Sequence, residues 1–570
     1  MEEIKSFFKK KSTWILAVIL LAATFARILL ITRIPSFVDN GAVFDDRLLV
    51  DYADTLVKGE WLGGYSFVTL AKGISYPVFL AITNFLNISY PKALLGIYIL
   101  AIILFVLSVR KLVKNKYALS IFYLFLLYSP VMLYFEYATR LYRNAIWAPS
   151  VLLVIACLLG LFYSRKNEAI WEPLFWSITA GISFLFFWFN REDSIWLLPL
   201  FLGAALVTII SIFLDKEKTA GKIKRIFICV IPLILFVGGT SFLSFINLQK
   251  YGVYQINDRT EGPFAETMSL LTKIQTNEEK ESAVWVSRDA FIEGMKASPT
   301  LKSLEENINW VYDISGWAGE DGEVHGDIVF WAFRQSLVED GYYESAVKSN
   351  ELFEKLSKEL EEGFANGQLI KKKGLFISKS GDGKTMEDMP LIWEYFQYGF
   401  YATSQYGNYD SRIGVMNASD EELAWYGELI NTRFIYPGTP EDAEIFTSAK
   451  PAVKISNHII KVYRAVSLPL LFLSLIGYLV IIWQMVKNKF KEEHTTLFII
   501  VTGLFLSFII LLFGVAWFST WATDRKELFM TLYTGGGVPV IQVFKLLCLY
   551  SLGAFVKEKV KKKDISPVNE

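Results

Sequence analysis

A chain of 570 residues that is 53% hydrophobic, 16% aromatic and only 20% charged has the profile of a multi-spanning membrane protein with one sizeable soluble part. The three cysteines, Cys157, Cys229 and Cys548, lie in apolar segments and the three histidines are widely spaced, which argues against a disulfide framework and a His-based metal cluster. The formal net charge of zero hides a segregation of charge along the chain, and no nucleic-acid partner is expected.

The first apolar run, 13–33, is too long for a cleaved signal peptide and lacks a small-residue cleavage site, so it reads as a retained anchor. It leads into the acidic pair Asp45 and Asp46 and then a short amphipathic pattern, with Leu49, Ala53 and Leu56 on one face. Taken alone, the acidic pair is expected to cap that helix. About ten segments have the roughly 20 apolar residues of a membrane helix. They are 13–33, 93–109, 117–135, 143–163, 170–189, 194–214, 226–246, 457–485, 496–519 and 538–556. The run 76–86 is short and carries Pro77 and Asn84, which predicts an interfacial or re-entrant helix.

Basic residues fix the expected orientation. Lys9–Lys11, Arg110, Lys111, Lys114, Lys116, Arg165, Lys166, the cluster 216–225, Lys487, Lys489, Lys491 and the tail from Lys557 fall on one side if 76–86 does not cross. A plasma-membrane protein, bacterial in character, with both termini cytoplasmic follows. The expected organisation is an N-terminal membrane module 1–246, an extracytoplasmic domain 247–456, a three-span module 457–556 and a basic cytoplasmic tail 557–570, disordered or bound to the membrane surface. The fold class is an all-α polytopic membrane protein with a mainly helical extracytoplasmic domain inserted before the last three spans. Helical patterns at 328–338 and 344–364 support a helical domain, the second with Leu352, Leu356 and Leu360 on one face.

Polar groups converge on the outer side. Arg140 and Arg143 stand at i, i+3 in an aromatic loop one turn after Glu136. Arg191-Glu192-Asp193 is wedged between two apolar runs, Asp524-Arg525-Lys526 follows the ninth, and Gln542 and Lys545 lie within the tenth. Arginine matches phosphate oxygens bidentately and lysine adds a point charge, while carboxylates serve as general bases or metal ligands. Together they suit a lipid phosphate carrying a sugar. The plainer readings are that Arg140 and Arg143 snorkel at the interface and that Arg191 and Glu192 form a local turn ion pair.

The order of these features resembles the GT-C superfamily of integral-membrane glycosyltransferases, in particular its protein-mannosyltransferase-like and aminoarabinose-transferase-like branch (glycosyltransferase family 39-like). The resemblance rests on Asp45-Asp46, Tyr52-Ala53, Leu56 and Gly59-Glu60-Trp61, then on Lys72-Gly-Ile-Ser-Tyr-Pro77, Ser108-Val-Arg-Lys-Leu112, the tyrosine-rich Tyr128–Tyr134, and Arg191-Glu192 with Pro199. It covers roughly the first 250 residues. Lys72–Pro77 lacks the double proline of the family, and Glu136 stands where many relatives have a second acid. The resemblance implies a GT-C-like fold and a catalytic acid at Asp45 or Asp46, with Asp45 favoured. It further implies a donor phosphate held by Lys72, Arg140 or Arg143, support from Glu136, Arg191 and Glu192, a polyprenyl-phosphate-linked sugar donor, inversion at the anomeric carbon and, in some members, a divalent cation such as Mg or Mn. Arg525 and Lys526 are further candidates for the phosphate. The acceptor expected is a cell-surface glycan. The alternatives are a ligase or polymerase using a lipid-pyrophosphate-linked glycan, and a transporter or flippase of a lipid-linked saccharide.

Overall fold

The computed structural model describes residues 11–39, 41–214, 219–277, 283–379, 381–416, 418–435 and 439–565. Over these residues the chain is helical, with only isolated bridges such as Phe37 to Arg140 in place of a sheet. Lys9, Lys10, Lys216, Lys218 and the last residues of the tail, 566–570, lie outside the described residues.

Among the described residues, eight helices are long and apolar enough to cross a membrane: Ser12–Thr32, Tyr90–Val109, Arg143–Ser164, Ser194–Phe213, Gly221–Tyr251, Pro440–Lys487, Glu492–Ser519 and Gly537–Val560. The chain is therefore a multi-pass membrane protein. Leu21, Phe25, Ile182, Leu206, Phe242 and Leu479 are exposed on these helices and their neighbours, as a hydrocarbon surround requires. Trp147–Ser164 is buried along nearly its whole length and forms the centre of the bundle. Trp171–Trp188, with 18 residues, packs between it and Thr219–Tyr251. The helix Ser75–Phe85 has 11 residues, about 16 Å at 1.5 Å per residue, roughly half the hydrocarbon thickness.

The expected span 117–135 ends early. Its helix is Lys116–Leu127, because Pro130 has no N–H to donate and holds Ser129 extended. From there to Ile146 the chain is almost wholly buried. Arg27, 1% exposed, donates to the Leu127 carbonyl at 3.4 Å and the Met132 carbonyl at 2.5 Å, so a cation from the first helix closes the broken end.

A second helix ends inside the bundle. Met389–Gln405 packs against Pro440–Lys487, Glu492–Ser519, Lys526–Tyr533 and Gly537–Ile565. It stops at Tyr406 in a left-handed conformation, φ 58°. Lys545 donates to the Ser404 carbonyl at 2.7 Å, and Arg464 to those of Tyr406 and Tyr409 at 3.1 and 2.9 Å. Gln542 donates to Ser129 and Tyr406, which joins the two broken ends. Within 247–456, a separate apolar core runs from Phe264 to Leu369, and Leu352, Leu356 and Leu360 belong to it. Ile392, Tyr395, Tyr406, Tyr409 and Tyr426 belong instead to the core of the bundle. Two helices continue through expected boundaries: Pro440–Lys487 is unbroken at 456, and Gly537–Ile565 at 557, so the tail is helical as far as Ile565.

One end of the bundle gathers the loops around residues 33–74, 128–146, 189–193 and 252–261, together with the Phe264–Leu369 core. Trp61 donates to Asn247, Arg334 to Thr69 and Asn190 to Arg143 there. The other end gathers basic residues, with Lys111 on Asn167, Lys116 on Ser12 and Arg165 on Glu492. The native cysteines are buried, so single introduced cysteines report sidedness. An impermeant thiol reagent on intact cells is expected to label Glu320→Cys at once and Lys114→Cys only after permeabilisation, both positions being exposed. The reverse pattern would invert the expected orientation.

Candidate active site

The first loop enters a π-helical turn, Val43–Arg47, and continues as the helix Leu48–Val57. Neither acid caps it: no side-chain cap is made at Ala42 or Arg47, against the expectation for the acidic pair. Asp46 is fully buried. Its carboxylate accepts two 2.8 Å bonds from Arg140 and one of 3.0 Å from the Asp39 N–H. Arg140 also donates to Glu136 at 2.8 Å. The backbone closes the same junction, with Phe37 N–H on the Thr139 carbonyl at 3.0 Å and Leu141 N–H on that of Phe37 at 2.8 Å. Arg140 is thus an internal counter-ion and does not snorkel.

Asp45, one residue earlier on the turn, faces the other way. Its side chain is 37% exposed, with Lys72 Nζ at 2.5 Å and the Tyr142 hydroxyl at 3.3 Å. Lys72 is delivered by a close loop contact. The Ser75 N–H bonds the Phe189 carbonyl at 3.0 Å and the Gly73 N–H bonds Glu192 at 3.1 Å. A Cβ on Gly73 would stand 2.3 Å from the Phe189 carbonyl oxygen and 2.7 Å from that of Asn190, so only glycine fits between Lys72 and the 189–192 turn.

Arg191 and Glu192 do not pair with each other. Arg143 holds Glu192 at 2.6 and 2.7 Å. Arg191 takes Asp193 at 2.8 and 2.9 Å and Asn144 at 2.5 Å, its guanidinium lying 4.2 Å from the Trp147 ring and 4.9 Å from that of Tyr533. Lys526 is apart from this group, bonded to Glu394 at 2.6 Å, and Arg525 beside it is exposed. They stand at the far end of the helix Lys526–Tyr533, about 10 Å along its axis from Tyr533.

The Phe264–Leu369 unit supplies a wall. Trp331 lies 5.3 Å from Lys72 Nζ, and Phe44 stacks on it at 5.1 Å and on Trp317 at 5.8 Å. Asp327, paired with Arg259 at 2.8 Å, reaches Tyr533 electrostatically, as Asp45 does. Sequence spacing had no access to Tyr142, Tyr533, Trp317 or Trp331. They carry no motif, and the two tryptophans stand more than 240 positions after Lys72 in the chain.

Burial acts against charge on both adjacent aspartates, with opposite outcomes. At Asp45, Lys72 and Arg143 outweigh it and hold the carboxyl well below the usual range. At Asp46, burial prevails over the pull of Arg140 and the Asp39 N–H and raises the carboxyl. At Glu192, Arg143 and then Lys72 overcome burial and bring the carboxyl down to about 2. Among the described residues, no group of three or more His, Cys, Asp and Glu side chains is placed to hold a metal ion. The carboxylates of Asp39, Asp46 and Glu136 converge instead on the Arg140 guanidinium.

No protein-family model, curated protein or solved structure matches the chain.

The Glu192–Arg143 pair carries a pH signature. A carboxyl lowered from 4.5 to about 2 contributes stability above pH 4.5 that is lost as pH falls through 2. Glu192→Gln should lower the melting temperature at pH 7, by about 3 kcal/mol of stability for a broken buried pair. The deficit against the unaltered protein should shrink between pH 4.5 and 2, read by thermal unfolding in detergent. A deficit constant over that range would mean that the pair is not what Glu192 contributes.

Proposed function

We propose that the protein is a membrane glycosyltransferase of GT-C type. It transfers a sugar from a polyprenyl-phosphate donor to an acceptor outside the cell membrane, a surface glycan, with inversion. The observation that carries this reading is the Asp45–Lys72 pair: a partly exposed carboxylate bonded to a lysine, beside aromatic rings, at the end of a lipid-facing bundle.

A general base must be reachable and its proton affinity must suit the task. Asp46 fails the first condition and Asp45 meets it. Bonded to Lys72, Asp45 is too weak a base. A donor phosphate that draws Lys72 away restores its basicity at the moment the donor is bound. The freed carboxylate takes the proton of an acceptor hydroxyl, whose oxygen attacks the anomeric carbon. The bond from that carbon to the phosphate oxygen breaks, and polyprenyl phosphate departs with the electron pair. Attack opposite the leaving group inverts the centre. Glu192 and Arg143 hold the Lys72 loop from behind through Gly73.

A second reading has one observation in its favour. The helix Met389–Gln405 ends within the bundle, as the half-helices of carriers do. That geometry suits a flippase, and a ligase or polymerase acting on a lipid-pyrophosphate-linked glycan would use the same outer face.

Reconstituted protein supplied with a labelled polyprenyl-phosphate sugar separates these. Asp45→Asn is expected to lower transfer by about 100- to 10,000-fold with little change in melting temperature. Asp46→Asn is expected to lose about 3–5 kcal/mol of stability, because it leaves Arg140 short of a buried partner. Transfer at the unaltered rate by Asp45→Asn would refute the mechanism. Movement of intact lipid-linked sugar across the vesicle without transfer would select the carrier.

A further inference from the structure

We infer that the segment 371–379 docks the Phe264–Leu369 unit on an anionic membrane surface, with Leu375 and Ile377 entering the head-group layer and the lysines around them pairing with lipid head groups. This stands independently of sugar transfer and of the site at Lys72.

The chain here reads Lys371-Lys-Lys-Gly-Leu-Phe-Ile-Ser-Lys379, an apolar triplet between lysines with no acid among them. The stretch is firmly mounted. The Gln275 N–H bonds the Ile370 carbonyl and the Lys372 N–H that of Lys273, both at 2.8 Å, and Leu375 and Lys384 exchange two bonds at 2.8 and 3.1 Å. Side chains alternate along extended backbone. Phe376 turns inward, so near Gly383 that a Cβ there would stand 2.5 Å from its ring. Leu375 and Ile377 turn the other way and are 61% and 54% exposed. Met386, two residues after Lys384, is 83% exposed. Large apolar side chains exposed as a group mark an interaction surface.

What covers this surface follows from where the chain goes next. Three residues after Met386 it enters Met389–Gln405, which packs among the helices of the bundle. The Tyr395 hydroxyl donates to the Ala522 carbonyl at 3.1 Å, just past the end of the spanning helix Glu492–Ser519, so the start of Met389–Gln405 stands at the membrane boundary. Trp393, 57% exposed, sits at this level, where tryptophan is enriched in membrane proteins. Met386 is at most about 11 Å of extended chain from Met389, and Met389 is about 6 Å along the helix axis from Trp393. The exposed apolar residues therefore run on from the lipid-facing surface of the bundle.

Charge selects the kind of lipid. Lys372 is paired with Asp382 and Lys379 with Glu266. Lys371 and Lys373 are exposed, and among the described residues neither has a carboxylate partner. The nearest exposed acids in the chain are Glu362 and Glu387, nine residues before Lys371 and eight after Lys379. Lys273 and Lys371 both lie within 6 Å of the Phe376 ring, at 5.9 and 5.8 Å. Burial holds the Lys273 ammonium below its usual range, and Lys371 and Lys379 add to that against the pull of Glu266. An anionic head group beside these lysines would relieve their repulsion, and their stems can lie along the apolar side chains while the ammonium groups stay in the head-group layer.

The test is fluorescence from a single dye-labelled cysteine on the full-length protein in vesicles, the native cysteines being buried. The vesicles are phosphatidylcholine alone or phosphatidylcholine with phosphatidylglycerol, each with and without a nitroxide on the lipid head group. With phosphatidylglycerol present, the nitroxide should quench Ile377→Cys about twofold or more. Iodide in the water should quench it less than Glu320→Cys, at an exposed position of the same unit. Adding Lys371→Glu and Lys373→Glu, both at exposed positions, should cut the nitroxide quenching about twofold or more, as should omitting phosphatidylglycerol. Met386→Cys, which leaves Leu375 and Ile377 in place, should follow Ile377→Cys and keeps the test valid if the change at 377 itself weakens docking. Iodide access at 377 and 386 equal to that at 320 would overturn the docking surface. Protection from iodide without nitroxide quenching would mean that protein covers these residues, and would overturn the lipid as partner. Nitroxide quenching indifferent both to phosphatidylglycerol and to the lysine reversals would overturn the anionic character of the surface.

Discussion

The buried guanidinium of Arg140 is the constraint from which the arrangement around Asp45 follows. It holds Asp46 on one side and Glu136 on the other, out of solvent, with the Phe37 backbone paired across the same junction. Removing one partner from such a cluster leaves an uncompensated buried charge, at a cost of about 3–5 kcal/mol. The first loop and the aromatic stretch after Lys116–Leu127 are therefore locked to each other. With Asp46 committed inward on a π-helical turn, its neighbour Asp45 points out toward Lys72 and Tyr142. One acid builds the site and the other is presented by it.

Charge compensation sorts the remaining cations. Arg143 and Arg191 are buried guanidinium groups: one Arg143 nitrogen bonds both oxygens of Glu192, and two Arg191 nitrogens hold Asp193 bidentately. Lys72 holds a carboxylate that is itself partly exposed, through a single ammonium contact. Of these pairs it is the one an incoming anion can exchange at least cost, because one ammonium contact holds it where two bonds hold each of the others, and Asp45 is left in contact with solvent and still near Arg143. The Gly73 contact keeps the lysine in place for that exchange, and a larger residue there would move the loop off the 189–192 turn.

Much of this was legible in the sequence, and the limits have physical causes. Apolar length marked the membrane helices, because backbone in lipid must satisfy itself by helix formation. Loop position brought Asp45, Lys72, Arg140, Arg143 and Glu192 into one short list, since short connections between spans leave few places to go. Pairing was not legible. Whether Arg143 meets Asp45 or Glu192, or Arg191 meets Glu192 or Asp193, is decided by side-chain direction within a few ångströms. The broken helices were equally hidden. The run 117–135 is apolar throughout, and only Pro130 marks the break. Met389–Gln405 carries polar and aromatic residues that read as part of a soluble domain, yet it packs against four helices of the bundle.

Those broken helices also show what a buried cation means in this chain. Arg27 and Lys545 lie deep, as an anion site would require, but both, like the half-buried Arg464, are aimed at the carbonyls of a helix that stops early. An open helix end in an apolar surround leaves acceptors unpaired at about 1–3 kcal/mol each, and a lysine or arginine from a neighbouring helix both pairs them and answers the negative end of the dipole. Depth alone therefore does not identify a substrate site. The cations near Asp45 differ because their partners are carboxylates. A carboxylate can be exchanged for a phosphate of the same sign, whereas the carbonyls of a broken helix cannot leave. By that criterion the exchangeable charge in this protein sits at Lys72, where the aromatic wall and the exposed acid meet.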